Sequence, residues 1–286
     1  MDSCLKLKFV ATIVTVLVIV IGLAMISPLY IIPREIAAQM AKQRVMLTFS
    51  VLESAGAVEW CKDLSSTLNT YNMPATVFIV GKIAEQYPQT VLSFGGNVDI
   101  GSQTYNNTNL TTISDYTLKL EEVKKGKAAV DSAGHLDSKV FRAPYGATDQ
   151  DIYSLLSRSD ILADFSYKNQ YNVYENGQFI RFDASAFEGR DYSPDFFISR
   201  DKTSEPLIIN FDNTYSTSGI DSFLSRLETG DFRFVNASGL VGVTLTVRSL
   251  SMGLGEVAQV EVGPEPEEDD DLPSQSMGYV AFMEER

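Results

Sequence analysis

Four short runs of this chain place polar side chains at the ends of apolar, β-rich stretches. They are Thr48-Phe49-Ser50-Val51, Gly101 to Leu110 (GSQTYNNTNL), Phe141-Arg142-Ala143-Pro144-Tyr145-Gly146, and Leu207 to Asp212 (LIINFD). The side chains in them that could meet a ligand are Ser50, Gln103, Asn107, Arg142, Tyr145 and Asp212, which supply a hydroxyl, two amides, a guanidinium, a phenol and a carboxylate. Such a set can hydrogen-bond a polar ligand and stack on a ring face. The single histidine, His135, lies between a long helical pattern and the strand at Lys139, away from these runs.

In spacing and flanks, three of the runs resemble motifs of the polysaccharide deacetylases, the NodB-homology family, over roughly Val45 to Asp212. Members of that family remove acetyl groups from N-acetylated sugars with a divalent metal. The family pattern reads Thr-Phe-Asp-Asp at the first site and His-Thr-Tyr-Ser-His before Pro-Asn-Leu at the second. The resemblance therefore puts the catalytic Asp on Ser50, a ligand Asp on Val51, and the two ligand histidines on Gln103 and Asn107. A later family motif, an apolar strand ending in His-Asp, falls on Phe211 and Asp212, so the second catalytic acid is replaced too. A zinc-type site needs about three ligands with lone pairs and an open position, and deacetylation needs a polarised water with a base and an acid. Val51 has no lone pair, and Gln103 and Asn107 offer weak amide oxygens. The resemblance therefore implies a scaffold without catalytic residues, metal or other cofactor. Arg142, Pro144 and Gly146 match the family's Arg-x-Pro-x-Gly run, whose Arg orients the catalytic Asp. With Ser50 in that place, Arg142 is expected to pair with Asp164 or Asp212.

The elements that must carry these residues follow from periodicity. Strands are expected at Val45 to Phe49, Thr76 to Val80, Val98 to Ile100, Lys139 to Phe141, Ile161 to Ala163 and Leu207 to Phe211. Helices are expected near Val58 to Tyr71, Ile83 to Phe94, Ser114 to Ala133, Asp149 to Ser157 and Ile220 to Glu228. This alternation implies parallel strands with crossover helices, in a barrel or a doubly wound sheet. No Gly-rich phosphate loop follows the first strand, which argues against nucleotide binding. The resemblance implies the first option, a distorted (β/α) barrel, whose sites lie at the C-terminal ends of the strands. The Val-rich run Phe232 to Ser249 reads as β, closing the barrel edge or forming a hairpin.

Around this domain of residues 45–250 the chain carries appendages. Phe9 to Ile32 has no charge and exceeds the roughly 20 residues that span a bilayer core, whereas a cleaved signal has a shorter apolar region. A single transmembrane helix over 9–32 is expected. Lys6 and Lys8 against Asp2 leave residues 1–8 cytoplasmic and the rest extracytoplasmic, with residues 33–44 as a stalk and 251–286 as an acidic linker and tail. Cys4 and Cys61 then lie on opposite sides and form no intrachain disulfide. The net charge of −14 argues against nucleic acid as a partner. Part of it sits in Glu261 to Asp271, which has no basic residue and reads as an extended, solvated segment. Asn106, Asn109 and Asn236 head glycosylation sequons.

These features point to a membrane-anchored, single-pass protein whose extracytoplasmic domain is deacetylase-like but not catalytic, acting as a glycan-binding or cell-surface assembly module. Two alternatives stand beside it. One is an active metal-dependent deacetylase with a displaced site around Asp164, Asp212 and Asp99. The other is a structural subunit of a membrane-protein complex.

Overall fold

The computed structural model describes residues 42–166 and 168–248. The expected span Phe9 to Ile32, the stalk up to residue 41 and residues 251–286 lie outside the described residues. Among the described residues no helix is long and apolar enough to cross a membrane. The last residues assigned to the stalk, Gln43 and Arg44, already belong to the first strand.

Strand β1 (Gln43–Val51) is buried along almost its whole length, as a central parallel strand must be. It pairs in parallel with β2 (Ala75–Ile79) on one side and β10 (Leu207–Asp212) on the other. Outward from β2 follow β3 (Val98–Ser102), β5 (Val140–Phe141) and β6 (Ala163–Asp164), all parallel, and then antiparallel β7 (Gln170–Glu175) and β8 (Gln178–Asp183). Beyond β10 lies parallel β9 (Ser185–Glu188). The result is a nearly closed, barrel-like α/β sheet.

The two faces of the strands separate by parity. Val45, Leu47, Phe49 and Val51 join Ala75, Val77, Ile79, Leu207, Ile209 and Phe211 in one core, packed against helices α1 (Ala57–Thr70) and α7 (Thr217–Leu227). Met46 joins Phe78, Val140, Phe165 and Ile208 in a second core on the opposite face. The alternation continues toward the strand ends, where Thr48, Ser50, Asn210, Arg142 and Asp212 replace apolar residues on the second face. Burial of α1 through Ala57, Trp60, Cys61, Leu64 and Leu68 follows the spacing of one helical face. Burial also pushes the Cys61 thiol up to about 12, which leaves it unreactive.

Helix α4 (Tyr116–Gly134) starts on Asp115, whose side chain accepts from the amides of Thr117 and Leu118, and packs Gly126 against the loop after β3. A Cβ at Gly126 would lie 2.3 Å from the Gln103 carbonyl oxygen, so only glycine allows this approach. His135 ends α4 in a left-handed conformation and is exposed at the end of the sheet opposite the polar strand ends.

Three expectations need correction. The helix expected over Ile83 to Phe94 is two short ones, α2 (Gly81–Gln86) and α3 (Gln89–Leu92), because Pro88 interrupts the hydrogen-bond ladder. The run Phe232 to Ser249 is neither one edge strand nor a hairpin: β11 (Phe232–Phe234) pairs with the start of β1, α8 (Ala237–Val241) follows Asn236, and β12 (Thr246–Arg248) pairs with β4 (Leu136–Ser138). The β7–β8 hairpin was not expected at all, although Asn176-Gly177 is its two-residue turn, with φ of 52° and 88°.

Candidate functional site

At the C-terminal ends of the strands a cleft of about 410 Å³ opens. Of the six candidate residues, Ser50, Gln103, Arg142, Tyr145 and Asp212 line it, and Asn107 does not. Four of the five are placed by a strand end, and Tyr145 by the 3-10 turn Pro144–Gly146 after β5. Ser50 and Asp212 are register partners on β1 and β10, while Gln103 and Arg142 follow the last residues of β3 and β5. Asn107 sits in a left-handed turn, with its Oδ1 buried and unpartnered.

Arg142 anchors the floor. Its Nε donates to the Phe165 carbonyl at 3.2 Å, and its Nη2 donates to Thr48 Oγ1 and Asn210 Oδ1, both at 3.0 Å. The guanidinium carbon lies 4.4 Å above the Phe78 ring centroid. Burial lowers its pKa to about 10, against the opposing fields of Glu188 and Asp164. Asn210 is itself fixed by Thr48 Oγ1 at 2.6 Å and donates to Glu188 Oε1 at 3.3 Å.

The expected pairing of Arg142 with Asp164 or Asp212 is not formed. Asp164 turns its oxygens to the Ser166 amide, the Ser166 hydroxyl and Asn172 Nδ2. Ser166 Oγ in turn accepts from the Ala143 amide at 2.8 Å, so Asp164 holds the loop that begins at Arg142 rather than Arg142 itself. Burial raises the Asp164 pKa to about 6, with the Ser166 and Asn172 hydrogen bonds and the Arg142 charge opposing the shift. Asp212 pairs with Arg190 and accepts from the Thr214 amide.

Tyr145 and Gly146 both have positive φ, 61° and 63°. A tyrosine in this region is strained, by on the order of 1 kcal/mol, and here the strain accompanies a ring left 76% exposed at the mouth of the cleft. Phe211, which stands at the family's histidine position, is only 2% exposed; it stacks on Phe49 and Tyr215 in the helix-facing core and adds an apolar edge to the cleft lining. Neither Tyr145 nor Phe211 closes the cleft.

A family-type metal does not fit the donors present. Val51, at a ligand position, is fully buried and packed into the helix-facing core. Gln103 is an amide with its Nε2 unpartnered, and Asn107 stands off the cleft. Among the described residues no group of three or more His, Cys, Asp or Glu side chains is arranged to hold a metal. The displaced site proposed for Asp164, Asp212 and Asp99 is not assembled either. Asp99, second in β3, receives the Ser238 amide at 2.6 Å near the start of its strand, whereas the other two end theirs.

Sequence reasoning missed Lys168, Glu188 and Asn210, which also line the cleft. Asn210 was findable, since it lies two residues before Asp212 and so shares its face. Lys168 precedes the β7–β8 hairpin and Glu188 ends β9, neither of which was anticipated. The sequon residues are engaged locally: Asn106 Nδ2 donates to Glu122 Oε1 at 2.7 Å, Asn109 caps Leu110–Thr112, and Asn236 caps α8.

A polar cleft at the carboxyl ends of the strands of a nearly closed, mostly parallel barrel is where α/β barrels carry their sites. The family model described as polysaccharide deacetylase matches residues 37–162 of this chain. No curated protein sequence matches the chain. Among solved structures, peptidoglycan deacetylase PdaC from Bacillus subtilis is 16% identical with a TM-score of 0.53, over 71% of this chain and 92% of that one. A putative polysaccharide deacetylase from Mycobacterium smegmatis is 15% identical with a TM-score of 0.56, over 73% and 94%. A wild-type CE4-family pseudoenzyme from Bacillus anthracis is 16% identical with a TM-score of 0.53, over 70% and 66%.

Proposed function

We propose that this protein is a membrane-anchored, extracytoplasmic, polysaccharide-deacetylase-like module that binds a glycan at the cell surface and does not deacetylate it. One observation carries the reading: the cleft stands open at the family's site, lined by hydroxyl, amide, aromatic and charged groups, while the ligand positions hold a core valine and two amides. With no carboxylate or imidazole at those positions, no side chain there is suited to activate a water. The apolar run 9–32 and the lysines before it support the anchor and its orientation. A glycan as ligand and a fold retained without catalysis are supported by likeness to a peptidoglycan deacetylase and to a pseudoenzyme.

The test uses the full chain purified in neutral detergent. Acetyl release from acetylated chito-oligosaccharides, with zinc or cobalt supplied, is expected to stay at the blank. Release above the blank that is lost in Asp212→Asn would overturn the reading in favour of an active deacetylase. Flat calorimetric titrations with acetylated, free and acidic sugar oligomers, together with a native size above one chain, would instead favour a structural subunit.

A further inference from the structure

We propose that the inner end of the cleft recognises the carboxylate of an acidic sugar, so that the glycan bound carries isolated uronate-type charges rather than being neutral or densely anionic. This rests on the glycan reading of the same cleft and names its ligand class.

The first observation is the state of Arg142. Its hydrogen bonds go to three neutral acceptors, Phe165 O, Thr48 Oγ1 and Asn210 Oδ1, through Nε and Nη2. Among the described residues nothing accepts from Nη1, and no carboxylate lies within ion-pair distance of the guanidinium. A buried guanidinium with no carboxylate in direct contact, held only by the more distant fields of Glu188 and Asp164, gains from an anion that a ligand supplies.

The second is Gln103. Its side chain is 1% exposed, lines the same cleft, and leaves Nε2 buried without a partner. An unmade hydrogen bond of this kind destabilises the empty cleft. Rotation of the amide about its last bond exchanges nitrogen and oxygen, so Gln103 can offer N–H to an anion beside Arg142. Ser50 adds a hydroxyl with no hydrogen-bonding partner among the described residues.

The charges on the remaining walls select the kind of anion. Glu188, bonded to Asn210, and Asp212, paired with Arg190, line the cleft with fixed negative charge. A singly charged carboxylate beside Arg142 meets half the repulsion from them that a phosphate-monoester dianion meets. The chain's net charge of −14 likewise disfavours a densely charged polymer. Exposed Tyr145 at the mouth offers a ring face for a pyranose, and Lys168 adds one cationic contact at the rim.

The experiment titrates the full chain in neutral detergent with three tetrasaccharides: one of alternating glucuronate and N-acetylglucosamine, its carboxyl-reduced form, and a phosphorylated analogue. The uronate form is expected to bind about tenfold tighter than the reduced form, since one charge-assisted contact separates them. Gln103→Leu should weaken uronate binding severalfold while raising the melting temperature, a combination that a purely structural glutamine does not give. Arg142→Gln should abolish the preference for uronate; since it also loosens the floor, Gln103→Leu carries the decision if that variant fails to fold. Equal affinity for uronate and reduced forms overturns the inference and leaves the glycan reading standing. Tightest binding of the phosphorylated form, or unchanged affinity in Gln103→Leu, also overturns it. No binding of any of the three removes the glycan reading itself.

Discussion

Arg142 and Asp164 were both marked by the sequence as charged residues at strand ends, and the structure gives them separate tasks. Arg142 ties three strand ends together through neutral acceptors, so Arg142→Ala strands Phe165 O, Thr48 and Asn210 at once. A loss on the order of 2–4 kcal/mol is expected from chemical denaturation. Asp212→Ala removes a pair with half-exposed Arg190 and should cost about 1 kcal/mol or less. Equal losses in the two variants would contradict this division. Asp164 gives a pH signature. Its folded pKa is raised from the usual carboxylate value to about 6, so its contribution is fully present at low pH and is lost as pH rises through 6. Asp164→Asn keeps a carbonyl acceptor for Ser166 and cannot ionise. The stability of the native protein relative to this variant should therefore fall between pH 4 and 7, by on the order of 2–3 kcal/mol. Urea midpoints for both proteins across that range decide it, and a flat difference would show that Asp164 does not titrate there. The pairing of Arg142 was not legible because sequence gives the face a residue occupies, not which of several neighbours its side chain turns to.

Elements were more legible than side chains. The apolar runs that became β1, β2, β3 and β10 are buried on one or both faces by long ladders, so local pattern and tertiary demand agree. Failures came where a local signal was passed over, at Pro88 and Asn176-Gly177, or where a Val-rich run was divided among β11, α8 and β12 by packing against separate strands. Helix α4 shows how element and site are linked. Its Gly126 meets the carbonyl of Gln103, so the helix sets the position of a cleft residue. Gly126→Ala gains about 1 kcal/mol of helix propensity, yet its Cβ at 2.3 Å from a backbone oxygen forces the loop away. A net loss of roughly 1–3 kcal/mol is expected, with weakened sugar binding. Asp115→Ala removes only the cap and should cost about 1 kcal/mol with binding unchanged. Thermal denaturation and one titration of each variant separate the two effects; a stabilised Gly126→Ala would mean that the loop accommodates the methyl freely.

At the scale of the whole molecule, the described residues hold the barrel with three apolar clusters and a polar floor, and metal is the component that the family's chemistry would add. A resident metal stabilises the state that binds it: with free ligand at a thousand times Kd the gain is about 4 kcal/mol. For a domain of about 200 residues each kcal/mol moves the melting temperature by roughly 2–4 °C, so removal of such a metal would be plain in a melting curve. The donor set here argues against that dependence. Val51 belongs to the helix-facing core, Gln103 carries an amide, Asn107 stands away from the cleft, and Asp212 is paired with Arg190. The melting temperature of the full chain in neutral detergent is therefore expected to shift by less than about 1 °C, well below the change a tightly bound metal would give, on dialysis against EDTA or on addition of zinc, cobalt or nickel. Elemental analysis of the purified protein should find each of the three far below one atom per chain. A fall in melting temperature with EDTA that zinc reverses would show that ligands from elsewhere in the chain complete a site, and the cleft would then have to be read as catalytic.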